Sequence, residues 1–299
     1  HHTPTFLPYI PTCKFNVVLK DEDEMKVAPT ALVVKANRLI EASYQLSLVE
    51  QRIMEMAIAW SRIHVPDLAP DTWVELSVVN YAELYGIDES NAYKQLKDAA
   101  RSLKQRTLTI ASIHEKTGCP ATIETSWLTS IMYVPAAGII QIRFSDEVVP
   151  CISRLERQFT SFNLRSIIRF SSAYAIRLYE LLKQYESIGQ RYFELAELRN
   201  YLEANDAAYD RIDNLKSRVV DKAVEQITLH SDLHIQYVAK KLGRNIVGIN
   251  FLITKHQSTI KKTARRKTQN KEIPIVLKPY QQIIEDAVQA AQHQSKRSS

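Results

Sequence analysis

The chain has 299 residues, 45% hydrophobic and 24% charged, a composition that fits a soluble globular protein with room for two ordinary domains. Its formal net charge of +6 favours an anionic partner, and no apolar run approaches the roughly 18 residues of a membrane helix. Three widely spaced cysteines (Cys13, Cys119, Cys151) fit free thiols in a reducing cytoplasm better than a disulfide scaffold. Six isolated glycines, with neither G-x-x-x-x-G-K-[ST] nor G-x-G-x-x-G, argue against a phosphate-cradling nucleotide loop.

Residues 1–30, with Pro4, Pro8, Pro11, Pro29 and the acidic run at 21–24, read as an irregular arm. The stretch 31–45 reads as a short apolar strand or turn leading into a helix or loop. Ser47 followed by Glu50 is a capping-box signature. It opens a helix with Val49, Ile53, Met56, Trp60 and Ile63 on one face, ended by Pro66 and Pro70. WVELSVV (73–79) predicts a strand, and NYAELYG (80–86) a brief helix closed by Gly86. A longer helix follows, capped by Asp88 or Ser90, with Ala92, Leu96, Ala99, Ala100 and Leu103 facing inward. Its outer face carries Asn91, Lys94, Asp98 and Arg101, flanked by Lys97 and Lys104. LTIASI, ETSWLTSIMYV and GIIQIRFS read as strands, the last two joined as a hairpin through Pro135–Gly138.

The same order then returns. Residues 171–185 predict a helix with Tyr174, Leu178, Leu181, Leu182 and Tyr185 on one face. RYFELAEL contains a short strand, ELRNYLEA a brief helix, and 211–228 a long helix with Ile212, Leu215, Val219, Ala223 and Ile227 in one stripe. DLHIQYVAKKLGRNIVGINFLIT reads as a hairpin turning through Lys240–Asn245. Helix, strand, helix, helix, hairpin is the order of a winged helix, whose second long helix enters a DNA major groove while the hairpin follows the backbone. The expected fold class is therefore α+β, two tandem winged-helix domains of similar topology. The expected division is an arm at 1–30, an N-terminal domain at 31–150, a C-terminal domain at 151–254, and a basic tail with a short terminal helix at 255–299.

The chemistry expected is groove and charge readout. The helix 211–228 presents Arg211, Asn214, Ser217 and Arg218 from its first turns, and Arg and Asn are the side chains that address guanine and adenine edges bidentately. Lys216 lies near the apolar stripe and suits a phosphate or a core-covering role. Lys240, Lys241 and Arg244 at the hairpin tip, with Ser90, Asn91, Lys94, Lys97 and Arg101 in the first half, suit backbone contacts. Asp221 and Glu225 confine the reading to residues 211–218. No catalytic residue, metal or cofactor is expected.

Four segments carry a specific resemblance: VVKANRLIEASYQLSLVEQRI (33–53), YGIDESNAYKQLKDAARSL (85–103), SAYAIRLYELLKQY (172–185) and DNLKSRVVDKAVEQI (213–227). Their order and separation resemble the iteron-binding plasmid replication initiators with two winged-helix domains. The resemblance implies double-stranded DNA partners, the repeated origin sites (iterons) and an operator. It further implies a homodimer that represses its own promoter in equilibrium with a monomer that opens the origin, and recruitment of host replication initiation proteins and helicase. The N-terminal domain would supply the dimer interface. On the residues alone the candidates are Met54, Met56, Ile58 and Trp60 of the first long helix, whose ordinary alternative is a place in the core, or the edge of the hairpin 126–144 around Trp127, Ile131, Tyr133, Ile139 and Ile140. A winged-helix transcriptional regulator without initiator activity is the alternative. A rolling-circle nicking enzyme is disfavoured, because the His-hydrophobic-His triplet that would hold its metal is absent from the sequence.

Overall fold

A computed structural model describes residues 26–256. The basic run after 256, the terminal helix expected near 280–292 and Cys13 lie outside the described residues. Within them, the first half runs β1 (Leu32–Ala36), α1 (Asn37–Ile40), α2 (Leu48–His64), β2 (Val74–Ser77), α3 (Val78–Tyr85), α4 (Glu89–Gln105), β3 (Thr107–Ile113), β4 (Pro120–Ser126), β5 (Leu128–Val134) and β6 (Ile139–Phe144). After β7 (Phe159–Asn163), the second half runs α5 (Ala173–Lys183), β8 (Gln190–Glu194), α6 (Leu195–Leu202), α7 (Ile212–Leu215), α8 (Asp221–His230), β9 (Leu233–Leu242) and β10 (Asn245–Lys255).

The repetition read from the sequence is present in the sheets. In the first half the strand order is β2-β6-β5, and in the second it is β8-β10-β9. In both, the strand after the first long helix pairs antiparallel with the second strand of the hairpin. The hairpin β3–β4 is an addition to the first copy. The stretch ETSWLTSIMYV divides between β4 and β5, because Trp127 turns inward and is buried against the edge of Tyr44, ring centroids 4.8 Å apart.

Local chemistry explains the helix ends. Ser47 accepts from the Glu50 amide while the Glu50 carboxylate accepts from the Ser47 amide at 2.6 Å, so α2 begins with a reciprocal cap. Gly86 ends α3 in the left-handed region at φ 62°, where a side chain is rarely tolerated. In α4 the buried residues are Ala92, Leu96, Ala99, Ala100 and Leu103, the inward face expected from its period.

Several expectations need correction. Met54, Met56, Ile58 and Trp60 are all buried within this chain, so α2 offers none of them to a second copy. Trp127 and Ile140 are likewise buried, which leaves Met132 as the exposed large apolar side chain of the β5–β6 hairpin. The arm is packed from residue 26 onward: Val27 is buried, and its amide and carbonyl both bond the Asn80 side chain, at 2.8 and 3.2 Å.

A division at residue 150 also meets a structural obstacle. Strand β7 pairs antiparallel with β1, Leu32 opposite Asn163, so the two ends of the first half close on each other across that point. Beneath this pair lies a buried charge cluster. Lys35 of β1 contacts Glu55 of α2 and donates to Glu180 of α5 at 2.6 Å. Glu180 also faces Arg177 at 3.6 Å, and Arg177 donates to the carbonyls of Ile40 and Ala42 at 2.9 and 3.1 Å while stacking on Tyr44. Burial opposes the Lys35 charge, but the Glu180 and Glu55 carboxylates hold the ammonium above its ordinary range. Burial, reinforced by Glu180 against the pull of Lys35, pushes Glu55 up to about 8, and its Oε2 has no hydrogen-bond partner. Helix α5 is consequently buried nearly all round from Ala175 to Leu182, where one apolar face was expected.

Candidate nucleic-acid interface

The long helix of the second half is α7 and α8 joined by a π-turn over Lys216–Val220. The extra residue of a π-turn rotates the following stripe. Val219 and Val220 are therefore both buried, between Leu215 above and Ala223 and Ile227 below. The turn keeps Ser217 and Arg218 on the exposed side, with Asp221 and Lys222 after them.

The approach to this helix is fixed by hydrogen bonds. Arg199 of α6 donates to the carbonyls of Tyr209 and Asp210 at 2.6 and 3.0 Å, and Asp206 accepts from the Ala208 amide. Asn214 donates to the Ala208 carbonyl at 2.9 Å, which folds its amide back onto this loop. Ser217 donates to the Asp213 carbonyl at 2.8 Å. Of the candidate reading residues, Arg211 at the helix N-cap and Arg218 on the π-turn are exposed, whereas Asn214 and Ser217 have intramolecular commitments.

The hairpin is tied to the helix through one tyrosine. The Tyr237 hydroxyl of β9 donates to Asp221, and the Lys216 ammonium lies 5.9 Å above the Tyr237 ring. Burial and the bond to Asp221 hold the Tyr237 phenol protonated, above its ordinary value. Lys216 is half-buried, as its place beside the stripe suggested. The hairpin turns at Gly243–Arg244, with Leu242 opposite Asn245, a tighter turn than the Lys240–Asn245 expected. Lys240, Lys241 and Arg244 are all exposed at its tip.

In the first half, Ser90, Asn91, Lys94 and Arg101 are exposed on α4, while Lys97 is half-buried with its ammonium 5.8 Å above the Tyr133 ring. The Ser90 hydroxyl donates to Asp88 at 3.2 Å, part of the cap of α4. Asn91 and Lys94 line a groove of about 510 Å³ against the start of α2, which the Arg106–Glu50 pair at 3.2 Å also lines. Sequence reasoning missed the positioning residues: Arg199, Tyr237, and the cluster of Lys35, Arg177 and Glu180. Their signal is a charged or hydroxylated side chain inside an otherwise apolar period, which reads as a surface position until the partner element is known. Among the described residues, no group of His, Cys, Asp and Glu is placed to hold a metal ion, and no helix is long and apolar enough to cross a membrane.

The chain is similar to known proteins. Residues 32–183 match the family described as Initiator Replication protein, WH1, and residues 194–253 the family described as Initiator Rep protein, WH2. An uncharacterized 27.6 kDa protein of Escherichia coli is 25% identical over 225 residues, spanning 73% of this chain and 93% of that protein. The PI protein of Escherichia coli is 26% identical over 246 residues, spanning 72% of this chain and 80% of its own length. The crystal structure of Pi initiator protein in complex with iteron DNA has a similar fold. Its TM-score is 0.64 at 21% identity, over 78% of this chain and 100% of that one. The first match alone takes in more than half of the sequence and reaches from β1 through α5, the same span that the β1–β7 pair and the Lys35 cluster close into one body. The chain belongs to the initiator replication protein family.

Proposed function

We propose that this initiator binds directly repeated duplex DNA at a plasmid origin, with α7–α8 in a major groove and the β9–β10 hairpin along the adjacent backbone. The observation that carries the reading is a set of exposed cations on two connected elements. Arg211 and Arg218 lie on the helix and Lys240, Lys241 and Arg244 on the hairpin, the two elements being joined through Tyr237 and Asp221. Arg218 and Arg211 are the exposed base-reading candidates with free donors, Ser217 being exposed but bonded to the Asp213 carbonyl, and Asn214 reads a base only by giving up its bond to Ala208. Lys94 and Arg101 on α4 add phosphate contacts from the first half. The structural relative bound to iteron DNA supports the same role for the fold.

Selection of bound duplexes from a random pool tests the reading, since a directly repeated or bipartite site is expected. On the selected duplex, Arg218→Ala weakens cognate binding far more than random-sequence binding; an equal loss on both reassigns Arg218 to phosphate. Lys241→Ala weakens both and flattens the salt slope by about one unit. Permanganate reactivity of an A·T-rich flank separates an initiator, which opens it, from a repressor, which does not. Self-association through the first half completes the proposal. Strand β5 is an edge of its sheet and carries the exposed Met132, so it is the place where a second copy adds. Sedimentation that finds only monomer over a wide concentration range removes that part.

A further inference from the structure

Leu242 is the most exposed large apolar side chain among the described residues, at 75%. It ends β9, pairs with Asn245, and immediately precedes the Gly243–Arg244 turn, where Gly243 adopts φ 62°. Hairpin tips are ordinarily polar, because an apolar side chain there gains nothing on folding. Neither a buried neighbour nor a cap explains this leucine. Its surroundings are cationic: Lys240, Lys241 and Arg244 are exposed within two residues on either side. The alternation of β9, with Leu233 and Ile235 inward, places Leu242 on the same face as Lys240 and the exposed Val238.

A branched apolar tip between phosphate-seeking cations has a defined use on DNA. Cations on either side of a groove fix the ribbon on the two backbones, and the apolar group between them enters the groove floor. There it separates a base step that is cheap to unstack. We propose that Leu242 is an apolar wedge, inserted into the minor groove beside the helix-bound major groove and partly unstacking one flexible pyrimidine–purine step. The proposal rests on the duplex-binding reading above and adds a second contact of different chemistry. It also couples binding to deformation, since the duplex must bend away from the wedge.

The experiment uses the full chain and a duplex recovered by the selection, with 2-aminopurine placed at successive positions and dyes at both ends. With the wild type, one flanking position brightens on binding and the end-to-end distance shortens. Leu242→Ala and Leu242→Ser abolish the brightening and the bend at saturating protein, while affinity falls by about threefold to tenfold. Leu229→Ala, which removes a similarly exposed leucine of α8 outside the hairpin, retains both signals. Brightening and bending unchanged in Leu242→Ala overturn the wedge while leaving duplex binding intact. Absence of any duplex binding by the wild type overturns the underlying reading and the wedge with it. An unchanged thermal midpoint is expected of the exposed-site variants, and a Leu242→Ala effect confined to self-association also overturns the proposal.

Discussion

Lys35→Met tests the buried cluster by replacing its central cation with an apolar side chain of similar length. In the wild type the ammonium contacts Glu55 and lies 2.6 Å from Glu180, with the two carboxylates 2% and 1% exposed. Removing one partner of a buried ion pair leaves an uncompensated charge and costs roughly 3–5 kcal/mol. Folded proteins are stable by only about 5–15 kcal/mol, so the loss is a large share of the total. For a body of this size each kcal/mol moves Tm by about 2–4 °C, which places the expected fall at roughly 6–20 °C by circular dichroism above pH 8, where the wild-type Glu55 carboxyl is ionised. The double variant Lys35→Met/Glu55→Leu should recover most of it, because the remaining Glu180 still faces Arg177 at 3.6 Å. A fall below about 3 °C in Lys35→Met, or no recovery in the double variant, would refute the view that these charges are desolvated and mutually matched.

The other predictions concern pH, packing and salt. Glu55 has a folded value near 8 against an ordinary 4.5, so the folded state holds the extra proton between them. The stability this provides is complete below the ordinary value and is lost as pH rises through about 8, with a slope of up to about 1.4 kcal/mol per pH unit. Urea titrations across that window should show the decline, and Glu55→Gln should flatten it; a wild-type curve as flat as the variant's refutes the assignment. Gly248→Ala places a Cβ 2.5 Å from the Phe193 carbonyl oxygen, a backbone atom that cannot swing away as the Tyr192 ring can. The expected cost is about 1–3 kcal/mol, and Tyr192→Ala should not rescue it. If each half engages about four to five phosphates, log affinity against log salt has a slope of about −7 to −9, whereas about −4 confines the contacts to one half.

The sequence was most informative where one element decides its own face. The five inward residues of α4 and the reciprocal cap of α2 depend on spacing within one helix, and both are present in the structure. It was least informative where a distant partner decides. Arg177 and Glu180 read as the polar side of α5, yet Ile40, Ala42 and Lys35 supply the partners that let them be buried. Strand β7 escaped notice because Phe159–Asn163 becomes a strand only against β1. At the candidate interface, the sequence pattern assigned Arg211, Arg218, Lys240, Lys241 and Arg244 to a helix and a hairpin that the structure also forms, with all five exposed. The π-turn and the return of Asn214 to Ala208 depend on backbone geometry that no spacing announces.

The Lys35–Glu180 bond also has a consequence for how the chain acquires its structure. Its partners are 145 residues apart in sequence. During synthesis β1 and α2 emerge with Lys35 and Glu55 lacking Glu180, and with β1 lacking β7. The first winged helix therefore matures late, after the chain has passed α5, and closure of so long a loop favours slow folding. A fragment ending near residue 150 should remain dependent on chaperones, whereas one extending through Lys183 contains every partner that the cluster and the β1–β7 pair require.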